Sequence, residues 1–231
     1  MSFDTFCQVA IPVVVDHSDD GQVTELFARI RREQKGRLDL LVNNAYAAVG
    51  YLTSHMGLKY WELESDESAA EAWDIVNGVG LRNHYICATL ATRMMLEYRG
   101  ELTTKDDASE RVPNSSEKDS QPSGDNRRPG LIINISSFGG LKYFFSVTYG
   151  VGKAAVDRMA ADMAHELRTK KKNIAVLSLW PGFVKTEKVL QAVEKGDFKS
   201  VDLEKWGKYS RLMLQTLRPS VFCTVCFRSL R

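Results

Sequence analysis

The chain has 231 residues, enough for one α/β domain with a sizeable core. Hydrophobic residues make up 44% and charged residues 26%, with a net charge of +2. That near balance argues against a general nucleic-acid binder or a polybasic membrane-surface protein.

No apolar run reaches the ~20 residues that a membrane-spanning helix needs. No apolar segment near the start has the form of a secretory signal, so a cytoplasmic location is expected. The four cysteines do not form a disulfide framework. Cys7 and Cys87 lie in apolar runs and read as core thiols. Cys223-Thr-Val-Cys226 lacks the second ligand pair that a zinc site requires, so no metal is expected.

In chain order, Val9–Val15 reads as a short buried strand, entered through Pro12 and ended by Asp16. Ser18 or Asp19 can cap a helix over about 21–34, where Val23, Phe27 and Ile30 repeat at helical spacing. Leu38–Val42 is a second buried strand. Residues 46–66 suit a loop with a short helix. One long helix is predicted over about 68–98, with Gly78 and Gly80 as weak points in its middle. Residues 101–130 are rich in Ser, Asp, Glu, Lys, Asn and Pro and poor in large apolar residues. Such a stretch cannot offset its ordering entropy by burial, so it is predicted to be a disordered insertion in a single domain spanning 1–231.

A strand over 131–135, a helix over about 148–168 and a strand over 174–179 follow. Lys170-Lys-Lys172 sits where cations favour a helix C-terminus. Beyond Thr186 a charged helical segment runs to about Leu217, and Val221–Arg231 fits no element. Strands alternating with helices imply a parallel sheet covered by helices on both faces.

The chemistry concentrates in Tyr149-Gly-Val-Gly-Lys153. Residues four apart share one helix face, so a phenol and an ammonium lie about one turn apart. A neighbouring ammonium favours phenolate and should lower the tyrosine pKa from about 10 toward neutrality. A phenol tuned in that way can give or take a proton at physiological pH. Ile132-Ile-Asn-Ile-Ser-Ser137 ends a buried strand in two hydroxyls, where parallel sheets place their chemistry. By itself the Tyr/Lys spacing also fits an ordinary solvated helix face.

Four landmarks in order resemble the short-chain dehydrogenase/reductase family: Leu41-Val-Asn-Asn-Ala45, the Ser137 strand end, Tyr149-Gly-Val-Gly-Lys-Ala-Ala155 and Ser178-Leu-Trp-Pro-Gly182. Val79-Gly-Leu-Arg82 adds to them. The likeness covers roughly residues 7–100 and 130–190. It implies a Rossmann-like, doubly wound parallel sheet and an NAD(P)-dependent oxidoreductase acting on a carbonyl or secondary alcohol. It further implies that Ser137 holds the substrate oxygen, that Tyr149 transfers the proton, and that Lys153 tunes Tyr149 and bonds the ribose of NAD or NADP. By the same likeness, Asp16, Asn43, Pro181, Gly182, Val184 and Thr186 line the cofactor. Its nearest members suggest steroid or xenobiotic carbonyl substrates, association with the endoplasmic reticulum, and a homo-oligomer built on the helices flanking the Ser strand.

Three departures stand out. Tyr46 replaces the glycine usual after Asn-Asn-Ala. The position that many members fill with a catalytic asparagine falls on Gly80, with Asn77 one turn earlier. No strand, Gly-rich turn and helix open the chain, and no Gly-rich last strand closes it. The sheet is therefore expected to be incomplete, lacking the first two strands and the last. On this view the chain is N-terminally truncated and binds cofactor weakly or not at all. An alternative is a catalytically inactive product that acts as an interaction or dimerisation module.

Overall fold

The computed structural model describes residues 10–63, 69–102, 128–182 and 191. Outside them lie Cys7, Cys223, Cys226, Val184, Thr186, residues 103–127 of the expected insertion, and nearly all of the expected helical tail.

Helix α1 spans Asp20–Glu33. Its N-cap is Asp19, whose carboxylate accepts from the Gly21 and Gln22 amides. Two of the donors orphaned at a helix start are satisfied in this way. Strand β1, Leu40–Asn43, is followed by a short helix α2, Val49–Ser54. Helix α3 covers Ala69–Asn77 and α4 covers Asn83–Tyr98. Strand β2, Gly130–Ile135, leads through a tight turn at Phe138–Gly140 into α5, Val147–Thr169. Ser146 caps α5 by accepting from the Tyr149 amide. Strand β3, Ile174–Leu179, completes a parallel sheet in the order β1-β2-β3.

Two predicted elements are corrected. Residues 10–15 form no strand. A strand needs a neighbour to pair with, and no described strand pairs with this run; Val14 is fully exposed. Pro12 also lacks an amide to donate. The helix expected over 68–98 is broken at Gly78–Arg82, where Val79 is extended and Gly80 has φ 133°. The charge pair of Arg82 with Asp20, with N···O distances of 2.7 and 2.6 Å, ties the start of α4 to α1.

The strand register sets two faces. Leu41, Ile132, Ile174 and Val176 point into a core shared with Val23, Phe27 and Ile30 of α1, Ala88, Ala91, Met94 and Met95 of α4, and Ala160 and Leu167 of α5. Leu40, Val42, Leu131, Ile133, Ile135 and Leu177 alternate to the other face, as period-two geometry requires. None of these belongs to a buried cluster. Among the described residues, α1, α4 and α5 all pack on one face of this incomplete Rossmann-like sheet.

Candidate active site

Tyr149 and Lys153 lie on one face of α5 and are both buried, at 8% and 7% exposure. Ser137, at the carboxyl end of β2, caps the following turn by accepting from the Gly139 amide at 3.1 Å. Its hydroxyl also acts on the Tyr149 phenol, favouring the ionised form. The structure thus brings together the three residues expected to be catalytic. Ser136 faces inward, and its Oγ donates to the Lys153 carbonyl at 3.1 Å, a structural tie between strand and helix.

The expected phenolate tuning is corrected. Burial holds the Tyr149 phenol above its ordinary pKa, and the Ser137 hydroxyl nearby pulls it down only in part. The Lys153 ammonium does not point at the phenol. It donates to the Ile135 carbonyl at 3.1 Å and stands 6.0 Å from the centre of the Tyr149 ring. Burial lowers the Lys153 pKa to about 8, against the opposing charge of Asp157 one turn on. Asp157 in turn accepts from the Trp180 indole, with both oxygens at 3.1 Å from Nε1.

Tyr46, Asn77 and Gly80 surround the same recess, together with Tyr149 and Lys153. The ring of Tyr46 meets Tyr149 edge-on at 6.1 Å, and Phe145 does so at 5.1 Å. Asn77 is buried and donates to the Thr148 carbonyl at 3.4 Å, joining α3 to the start of α5. A polar residue on the apolar face of α3 was the sequence signal for it.

The remaining expected contacts are more scattered. Asn43 is buried, and its amide nitrogen donates to the His84 carbonyl at 3.1 Å and to the Asn134 side chain at 2.9 Å. These bonds use both hydrogens of that nitrogen and form a polar ladder across β1 and β2 behind the site. His84, which no motif flagged, is buried beside it and bonds the Ala45 carbonyl at 3.1 Å. Its pKa is lowered by burial to about 3, so the ring is neutral. Asp16 lies at the surface before α1, where its carboxylate accepts from the Ser18 amide and hydroxyl. These bonds hold its pKa below the ordinary value. Pro181 and Gly182 follow β3 after Trp180, and Gly182 takes φ 72°.

Among the described residues, no group of three His, Cys, Asp or Glu side chains could hold a metal ion. No described helix is long and apolar enough to cross a membrane.

This chain and its parallel-sheet fold have counterparts among known proteins. The family model "short chain dehydrogenase" matches residues 121–196. Dehydrogenase/reductase SDR family member 1 of Mus musculus is 42% identical over 187 residues, which is 81% of this chain and 48% of that protein. Its Homo sapiens counterpart is 38% identical over 215 residues, 93% of this chain and 57% of the relative. A solved short-chain dehydrogenase from Streptomyces avermitilis superposes with a TM-score of 0.51 at 20% identity, covering 76% of this chain and 48% of its own. The chain belongs to the short-chain dehydrogenase/reductase family. It spans about half the length of the curated relatives it matches.

Proposed function

We propose that this chain carries the proton-transfer apparatus of an NAD(P)-dependent oxidoreductase acting on a carbonyl or secondary alcohol. The observation that supports it most directly is that Tyr149 and Lys153 line one recess, with the Ser137 hydroxyl acting on the Tyr149 phenol. A bound nicotinamide supplies or accepts the hydride at the substrate carbon. Charge then changes on one substrate oxygen, and the chain's own hydroxyls serve that atom. Tyr149 gives it a proton in reduction and takes one in oxidation. Ser137 holds it by a second hydrogen bond.

The donor chemistry fits a ribose partly. Lys153 spends one ammonium hydrogen on the Ile135 carbonyl, which leaves donors for a diol. Exposed Asp16 can accept further hydrogen bonds, in keeping with an adenosine contact. The amide nitrogen of Asn43 has no hydrogen to spare, so its part is to hold β1 beside β2. Pro181, Gly182, Val184 and Thr186 complete the proposed cofactor-binding set.

The substrate class we propose, steroid or xenobiotic carbonyls, rests on likeness to the two relatives alone, as does association with the endoplasmic reticulum. Both relatives are named as dehydrogenase/reductases, which favours catalysis over a non-catalytic interaction module. The test is turnover of a panel of ketones at saturating NADH or NADPH, with cofactor binding titrated separately. Tyr149→Phe should lower kcat by about 10²-fold or more and leave cofactor affinity within a few-fold. Equal turnover by the two proteins would overturn the assignment.

A further inference from the structure

Two departures noted in the sequence, Tyr46 and Gly80, prove to be one structural feature. A Cβ built on Gly80 would stand 2.4 Å from Cδ2 and 2.8 Å from Cε2 of the Tyr46 ring. No side chain fits there unless the ring moves. The backbone of Gly80 at φ 133° also lies outside what other residues readily adopt. The tyrosine ring therefore fills the space over Gly80, between the α3–α4 break and α5.

That ring is turned toward the site. The Lys153 Nζ lies 4.7 Å from its centre, closer than to the ring of Tyr149. The Tyr46 hydroxyl is buried and has no hydrogen-bond partner among the described residues. Burying a hydroxyl unpaired is costly, so a hydrophobic residue would suit plain filler better. What an aliphatic residue cannot supply is an electron-rich face for a cation. The one described hydrogen bond of the Lys153 ammonium, to the Ile135 carbonyl, fixes its position along the strand end but does not neutralise it.

We infer that Tyr46 is a positioning residue for Lys153: its ring face receives the ammonium and keeps it on the Tyr149 side of the recess, and Gly80 is bare to admit that ring. The inference rests on the reading of Lys153 as part of the proton-transfer site. The groups facing Lys153 are Tyr46 from the turn after β1, Tyr149 and Asp157 from α5, and His84 from α4. His84 is neutral above about pH 3, and Asp157, whose charge favours the ammonium, also accepts from the Trp180 indole. Tyr46 is the uncharged neighbour whose ring face the ammonium stands over, so its removal should bear on the charged form beside the charge of Asp157.

The test uses the full chain with carbon-13-labelled lysine, and Lys153 is assigned by loss of its resonance in Lys153→Gln. In wild type the Lys153 pKa should lie near 8. Tyr46→Leu should lower it by about one unit, and Tyr46→Phe, which keeps the ring, should leave it within about 0.3 unit. Trifluorophenylalanine at position 46 keeps the shape and weakens the ring's field. It should lower the Lys153 pKa relative to Tyr46→Phe even if Tyr46→Leu fails to fold. A pKa indifferent to fluorination, or equal in the leucine and phenylalanine variants, would overturn the inference. The readout needs neither cofactor nor turnover. An inactive chain with the expected titrations would count against the proposed function and not against this role of Tyr46.

Discussion

The side-chain oxygen of Asn77 lies 2.0 Å from where a Cβ on Gly152 would stand. The contact locks α3 against α5 one residue before Lys153. It explains a glycine that helix propensity alone disfavours. Gly152→Ala gains about 1 kcal/mol of helix propensity but forces the buried Asn77 away from Thr148. Overpacking of that kind costs about 1–3 kcal/mol, so a net loss is expected in urea unfolding. In an Asn77→Ala background the same change should become neutral or stabilising. Gly150→Ala, whose nearest contact is the Gly139 carbonyl at 3.3 Å, should cost less than Gly152→Ala.

Lys153 gives stability an alkaline signature. Its pKa in the fold is about 8, below the ordinary 10.5. Between those values the unfolded chain binds more protons than the folded one, so stability rises with pH across that window. The buried charge is fully penalised below pH 8, by an amount on the order of 3 kcal/mol. Above about pH 10 the buried phenols of Tyr46 and Tyr149, both raised by burial, turn the slope downward. Urea midpoints measured from pH 7 to 10 should rise in wild type and stay level in Lys153→Met.

Much of this was legible in the sequence. Apolar spacing placed α5 and β3 within a residue of their observed ends, because those elements bury a regular stripe. The run over 10–15 has the same apolar character but no described partner strand, and pairing is not a local property. The break at Gly78–Arg82 was visible only as two glycines. The Tyr46 ring, which fills the space over Gly80, lies more than thirty residues away. The Tyr149/Lys153 spacing located the site but misjudged its electrostatics, since burial outweighs a neighbouring charge that points elsewhere. His84 carried no motif at all.

His84 predicts acid sensitivity. Its folded pKa of about 3 lies below the ordinary 6.5. The unfolded chain therefore takes up a proton first as pH falls through 6.5, and stability is lost progressively toward pH 3. The loss should loosen the Ala45–Tyr46 turn, whose carbonyl the imidazole holds. Thermal unfolding from pH 7 to 4 should show a shallower decline in His84→Met than in wild type, from a lower starting stability.

The two sheet faces predict opposite tolerances. Ile132 is fully buried and Leu177 is 40% exposed, in adjacent strands but on opposite sides. Ile132→Ala should cost about 2–5 kcal/mol, the range for emptying a closed core site. Leu177→Ala should cost roughly 1 kcal/mol or less, because much of its surface already meets solvent. Denaturant midpoints at constant slope would check both. A cost at Leu177 matching that at Ile132 would mean that its face is covered in solution.

Ser137 predicts a change that can be read on Tyr149 itself. Its hydroxyl is the influence on the phenol that opposes the upward push of burial. It also caps the Phe138–Gly140 turn. Ser137→Ala removes both effects, so the Tyr149 pKa should rise further and the turn should lose on the order of 1 kcal/mol of capping. Ser137→Thr keeps the hydroxyl and should restore the titration. Carbon-13 signals of labelled tyrosine, followed from pH 8 to 11 with Tyr149→Phe for assignment, give the measurement. If the alanine variant left the Tyr149 titration where it is in wild type, the Ser137 hydroxyl would not be tuning the phenol, and the two hydroxyls would have to act on the substrate oxygen independently.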